Sequence, residues 1–219
     1  MWSSFRSEPL ATIARWQSTR FPWVLLAALS LFMLFLAHAV FQVWLYMQPC
    51  EHCVYIRFAF FCMVLSGVIA AINPRNASLK VFGYLLAFYG VIKGIGYCLT
   101  LNTIHQVVRS DEPFGVQGCS SEPVFLFGLP LDQWFPVWFK PTGDCGFDNP
   151  IVPADVTLSG LQQRLVDFYA DGWYLWPASH FINMAQACLI TFGAILLILA
   201  VAAMSWLITF GKTRQTTAI

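Results

Sequence analysis

The chain has 219 residues, of which 58% are hydrophobic and only 11% charged, with a formal net charge of +1. A soluble domain carries roughly 25% charged residues, so this balance belongs to a protein whose solvent is largely lipid. Its twelve basic and eleven acidic residues form no basic stripe, which excludes a nucleic-acid surface.

In chain order, the first apolar segment runs from Phe21 to Met47 without a charge. It follows Arg6, Arg15 and Arg20, and Ala37-His38-Ala39 imitates the cleavage site of a secretion signal. The run far exceeds a signal core of roughly 7–15 residues, so a retained span is expected. Cys53 to Ile72 contains only Arg57, Val81 to Leu101 only Lys93, and Phe181 to Phe210 no charge at all. Each supplies the roughly 20 apolar residues that a spanning helix needs, and backbone in hydrocarbon must pair internally. The expected fold is all-α: one membrane domain over residues 1–219, a four-transmembrane-helix bundle spanning at 21–47, 53–72, 81–101 and 181–210. A long external loop, residues 102–180, separates the last two spans.

Within that loop, Pro123 to Phe139 is too short and too rich in proline to span. Its aromatics suit a membrane interface, although a loop packed on the helix ends accounts for them equally well. Leu161 to Tyr169 reads as a short amphipathic helix, with Leu161, Leu165, Phe168 and Tyr169 along one side. Trp173 and Trp176 then stand where an aromatic belt precedes the fourth span.

Charge sets the orientation. The N-terminal tail, the turn Asn73 to Lys80 and the C-terminal tail hold Arg6, Arg15, Arg20, Arg75, Lys80, Lys212 and Arg214 against one acid, Glu8. The positive-inside rule places both termini in the cytoplasm and the long loop outside. The sequon Asn76-Ala77-Ser78 then falls on the cytoplasmic side, where it is expected to be chance.

Seven cysteines divide by location. Cys62, Cys98 and Cys188 lie inside spans and are expected to act as small hydrophobes. Four lie externally as two pairs, Cys50 with Cys53 and Cys119 with Cys145, an arrangement suited to an oxidising compartment. Cys50 and Cys53 form a CxxC at the first turn of the second span, where unpaired amides and the helix dipole favour a thiolate and lower a thiol's pKa. Arg57, one turn after Cys53, can stabilise that thiolate or hydrogen-bond a quinone carbonyl; its ordinary alternative is a snorkelling anchor. Cys50, Cys53 and His52 fall short of a tetrahedral metal set, and no metal site is assigned. Glycines flank the second pair (Gly118, Gly143, Gly146). That bridge can be structural, stabilising by about 3 kcal/mol, or mobile enough to be attacked, and the residues leave both open. Lys93, among Gly90, Gly94 and Gly96, is expected to face the bundle interior with a partner.

Gln48-Pro49-Cys50-x-x-Cys53-x-Tyr55-x-Arg57, Lys93-Gly94, Leu129-Pro130-Leu131-Asp132-x-Trp134 and Gly143-Asp144-Cys145 together resemble the DsbB family of disulfide-generating membrane proteins, over about half the chain. The resemblance implies a relay in the bacterial inner membrane. A reduced DsbA-like soluble periplasmic thiol oxidase attacks Cys119, the released Cys145 exchanges with Cys50, and Cys53 delivers electrons to a membrane quinone (ubiquinone or menaquinone). It implies Arg57 beside that quinone and, by a looser alignment, His105. Departures at Glu51, His52 and Ile56, with the long stretch 146–180, point to the DsbI branch and a dedicated partner of the DsbL type. Two competing readings are a quinone or vitamin-K-type reductase of similar bundle fold, and a non-enzymatic scaffold whose disulfides are structural.

Overall fold

The computed structural model describes residues 8–110 and 119–216, with side chains as far as Thr209. Arg6 and Gly118, and the side chains of Phe210, Lys212 and Arg214, lie outside the described residues. Four helices are long and apolar enough to cross a membrane: Phe21–Trp44, Glu51–Ile72, Ala77–Val108 and Met184–Thr209. The expected four-span bundle is borne out.

The chain opens with a helix that composition did not announce, α1 (Pro9–Trp16), which starts on a proline and buries Thr12 and Ala14. Gln17 follows it and joins three spans. Its Nε2 donates to Ala202 O at 2.7 Å, its Oε1 accepts from Tyr84 Oη at 2.7 Å, and its carbonyl accepts from Trp23 Nε1 at 3.1 Å. Arg20 reaches Ile72 O at 3.4 Å, so the N-terminal segment, the 73–76 turn and the far end of the last helix gather at one end of the bundle. Lys80 is buried there, its Nζ 5.4 Å from the Trp206 ring centroid.

The first span is α2 (Phe21–Phe35), which continues as a π-helix over Leu36–Trp44. The second, α3 (Glu51–Ile72), is the central helix, packed against α2 on one side and α4 (Ala77–Val108) on the other. Asn76, the sequon residue, is the N-cap of α4 and accepts from the amides of Ser78 and Leu79. Small residues let these helices approach closely. A Cβ on Gly90 would stand 2.8 Å from Ala59 O, and Ser66 Oγ donates to Gly83 O at 2.6 Å.

Lys93 overturns its expectation: it is exposed, beside exposed Ile92. At about 100° per residue, the buried set Ala87, Gly90, Gly94, Cys98 and Leu101 occupies one face of α4. Lys93 falls at the edge of that face and Gly96 opposite it, with nothing within 4 Å of an added Cβ. The last span, α8 (Met184–Thr216), closes the bundle against α4, its Phe192 stacked on Phe60 at 4.6 Å.

The loop is built from short pieces. A 3-10 turn (Leu126–Gly128), α5 (Leu131–Trp134) and α6 (Pro136–Phe139) occupy the aromatic stretch. Phe125, Leu131 and Phe139 bury against Val54, Tyr55 and Phe58 of α3, while Phe127, Trp134, Phe135 and Val137 face outward. The reading of a loop packed on the helix ends therefore holds for one face, and the other face is left exposed. The amphipathic segment becomes α7 (Gly160–Phe168), started by a capping box between Ser159 and Gln162. None of its residues is buried: on the apolar side Leu161 and Phe168 are exposed and Leu165 and Tyr169 half-buried. The region of Trp173 and Trp176 forms a two-stranded antiparallel hairpin, β1 (Tyr174–Trp176) with β2 (Phe181–Asn183), pairing Tyr174 with Asn183 and Trp176 with Phe181.

Candidate active site

At the loop end of the bundle, Cys50 is the N-cap of α3 and its Sγ accepts from the Cys53 amide at 3.3 Å. This satisfies one of the amides that a helix start leaves unpaired. Both thiols are free. The expected lowering of a helix-end thiol does not hold for Cys50. A hydrogen bond to the Cys53 side chain, then burial, push it well above its ordinary value.

Cys119 and Cys145 are bridged, with Cα atoms 5.8 Å apart. Two sets of contacts hold this bridge against α3. On the Cys145 side, the amides of Thr142 and Gly143 donate to Pro49 O at 2.9 and 3.1 Å, and Thr142 Oγ1 donates to Gln48 Oε1 at 2.7 Å. Further along, Ile151 N donates to Tyr46 O at 3.0 Å, and Met47 bridges Pro150. The segment containing Cys145 is thus laced to the segment that ends at Cys50, and both cysteines sit in one buried cluster. Gly143 is required by this approach, since a Cβ there would stand 2.6 Å from Gln48 O.

On the Cys119 side, Glu51 does the holding. One carboxylate oxygen accepts from Ser120 N at 2.7 Å and the other from Tyr55 Oη at 2.9 Å, while Val124 N donates to Tyr55 Oη at 2.8 Å. His52 is adjacent to both helix-end cysteines in sequence, yet its ring joins the other pair. A ring nitrogen and the sulfurs of Cys119 and Cys145 all lie within 4.8 Å of one another. Sulfurs already bonded to each other are not thiolate ligands, and no metal site is assigned.

Arg57 is 5% exposed and held by three acceptors. Its Nη1 donates to Gln42 Oε1 at 2.6 Å and to Trp138 O at 3.3 Å, and its Nη2 to Ala37 O at 2.9 Å. This is a buried cation in a built site, not a snorkelling anchor. Gln42 and Ala37 belong to the π-helical stretch, and His38 stacks on Trp138 at 4.0 Å with its Nδ1 3.2 Å from Gln42 Oε1. Sequence reasoning missed Gln42 and His38. The signal was present as two polar residues one turn apart in an otherwise apolar run, and π-helical turns recur at functional sites.

His105 is buried on α4 beside Arg109, and its Nδ1 has no hydrogen-bond partner among the described residues. Cys62 is buried, and Cys98 faces Cys188 across α4 and α8 through a side-chain hydrogen bond. A cavity of about 250 Å³ opens beside Cys145, lined by Arg109, Gly146, Asp148, Asp171 and Gly172 among others. Asp148 is buried there with neither carboxylate oxygen hydrogen-bonded, and burial pushes its carboxyl up to about 6.

A family model described as disulfide bond formation protein DsbB matches residues 19–202. The protein-disulfide oxidoreductase DsbI of Salmonella typhimurium (strain LT2) is 52% identical over 217 residues, covering 97% of this chain and 96% of that protein. The protein of the same name from Escherichia coli O1:K1 / APEC is 53% identical over 211 residues, 94% of this chain and 95% of its own length. Relatives of that name match the branch to which Glu51, His52 and Ile56 pointed. With four spans, and with most of its length matched at such identity, this multi-pass membrane protein belongs to the DsbB family of disulfide bond formation proteins.

Proposed function

We propose that this protein-disulfide oxidoreductase reoxidises a DsbA-like periplasmic dithiol protein, of the DsbL type, and passes the two electrons to a membrane quinone. It would do so as one domain of the bacterial inner membrane, with both termini cytoplasmic. The carrying observation is the lacing of the Cys145 segment onto residues 46–49, which sets the two cysteine pairs side by side.

The chemistry follows from that adjacency. A thiolate of the partner attacks Cys119, breaking its bond to Cys145, which leaves with the electron pair. Cys145 attacks Cys50 of the oxidised helix-end pair, and Cys53 leaves as thiolate. The partner's second thiol resolves its own mixed disulfide, so the partner departs oxidised and Cys119 is freed. Cys119 then attacks Cys145, restoring the loop bridge and leaving Cys50 and Cys53 reduced. A bridged loop pair with a free helix-end pair is the arrangement observed.

Two electrons must then leave for an acceptor, and a quinone, when bound, supplies a two-electron, two-proton acceptor. The residues present fit one. Arg57 engages three of its five N–H donors, leaving donors for a ring carbonyl. His105 offers a buried, unpartnered Nδ1. Arg57 and His105 would hold the quinone, and the Arg57 cation stabilises the Cys53 thiolate.

The test is quinone reduction by purified protein supplied with excess reduced partner. Cys53→Ala should abolish turnover, and a partner lacking its second thiol should accumulate as a mixed disulfide at Cys119, because nothing then resolves it. Unchanged turnover in Cys53→Ala would eliminate the relay.

A further inference from the structure

His52 is the residue for which the relay has no assigned use. Its position is built by two helices. The ring packs edge-on to Tyr55 of α3, with centroids 6.0 Å apart, and lies 6.4 Å from Tyr97 of α4. So held, it presents a ring nitrogen within 4.8 Å of both sulfurs of the loop bridge. Its Nδ1 is buried without a hydrogen-bond partner among the described residues. Leaving such a group unpaired is unfavourable. A bridged sulfur is a weak acceptor, whereas the thiolate formed when the bridge opens is a strong one. The ring therefore faces a weak acceptor in the oxidised state and a strong one during the reaction.

We propose that His52 is the proton donor to the loop disulfide, protonating Cys145 as it leaves and taking the proton back when Cys145 attacks Cys50. This rests on the relay proposed above, which assigns Cys119 to the partner's attack. The step balances. The partner thiolate forms a bond to Cys119, the S–S bond breaks, its electron pair goes to Cys145, and the proton comes from the His52 imidazolium. What remains is a mixed disulfide, a Cys145 thiol and neutral His52.

Burial of the ring works against an imidazolium, and one neighbouring charge works for it. Glu51 is the charged group that faces the ring, and the Ser120 amide and Tyr55 hydroxyl hold its carboxylate in place. Tyr55 on the same helix and Tyr97 on α4 are the other titratable groups against it, and the loop contributes the two sulfurs. The dipeptide between the helix-end cysteines therefore serves the other pair: Glu51 docks it and His52 gives it a proton.

The experiment follows reduction of the Cys119–Cys145 bridge by dithiothreitol in full-length detergent-solubilised protein, quenched by alkylation and read by mass. Rates are corrected for the dithiothreitol thiolate fraction. The wild-type rate constant should fall as pH rises between about 5 and 8, the range in which imidazole loses its charge. His52→Gln, which keeps a hydrogen bond but not the proton, should be on the order of tenfold slower at the acid end and flat with pH. His52→Phe, which keeps the aromatic packing, should behave like His52→Gln. A flat wild-type profile overturns the proposal and needs no variant to fold. So does a His52→Gln rate equal to wild type at the acid end, or a wild-type rate in His52→Phe. Quinone reduction by wild-type protein from the same preparation tests the relay separately, so the two failures are told apart.

Discussion

Asp148 gives a stability prediction whose sign and size follow from its surroundings. It is 8% exposed, and neither carboxylate oxygen is hydrogen-bonded, although Arg109 and the Trp173 amide stand near enough to favour the charge. Burial outweighs them and raises the carboxyl from 3.8 to about 6. Below the unfolded value the group is neutral in both states and the folded protein bears no penalty. As pH rises through the folded value the buried carboxylate ionises and that stability is lost. A shift of about 2 units at about 1.4 kcal/mol each makes the loss about 3 kcal/mol, complete somewhat above pH 6. Asp148→Asn removes this titration. Its unfolding free energy relative to wild type should therefore rise by about 2.4 kcal/mol between pH 4 and 7, the variant gaining as pH increases. Denaturant unfolding in one detergent, with both proteins at each pH, reads the difference while other titrating groups cancel. A difference that stays constant across this range would refute the reasoning. The same charge is the least of the causes holding the Cys50 thiol up, after its hydrogen bond to Cys53, burial and the charge of Cys53. The substitution should therefore also make Cys50 alkylate slightly faster at neutral pH.

Three further substitutions probe the docking of the loop and the cation beneath it. Glu51→Ala removes the acceptor for Ser120 N and Tyr55 Oη; with hydrogen bonds to charged groups worth about 1.5–3 kcal/mol, the Ser120 amide should exchange at least tenfold faster by mass-resolved hydrogen exchange. Gly143→Val drives a side chain into Gln48 O, so the Cys145 segment should lift from Pro49 and transfer of the disulfide from the helix-end pair to the loop should slow by tenfold or more in a rapid-quench assay. Arg57→Met leaves Gln42, Ala37 O and Trp138 O without their donor. It should raise the KM for quinone more than tenfold while mixed-disulfide formation at Cys119 proceeds at the wild-type rate, so an equal loss in both steps would point to a folding defect.

The bundle was legible because its signals are local. Uninterrupted apolar runs give spans, and only the ends moved: α4 extends to Val108, carrying Ile104 and Val108 against Gly146 beside Cys145. Helix α1 was not seen because its packing rests on distant contacts. The Ser205 hydroxyl to Leu10 O and Gln17 to Ala202 both cross most of the chain. The hairpin Tyr174–Trp176 with Phe181–Asn183 was hidden for another reason, since three-residue strands carry too few positions for alternation to register. Lys93 failed through a general rule applied without its phase: glycines near a charge imply a buried charge only when they share its face, and here Gly90 and Gly94 do not.

The site divides the same way. Four cysteines and Arg57 could be named from spacing and helix position, because those arguments need only the chain near each residue. The partners of each group could not, since they depend on which loop returns to which helix end. Adjacency in the sequence groups His52 with Cys50 and Cys53, but successive residues on a helix point about 100° apart. The turn that caps itself with Cys50 and exposes the Cys53 amide to that sulfur aims the residue between them toward the returning loop. A CxxC at a helix start is therefore a two-sided device here. Its sulfurs belong to the electron path into the membrane, and its intervening side chains belong to the disulfide that meets the soluble partner. Exchanging Glu51 and His52 for apolar residues should consequently weaken the loop step before it touches the quinone step, an order that single-turnover measurements on each pair can read.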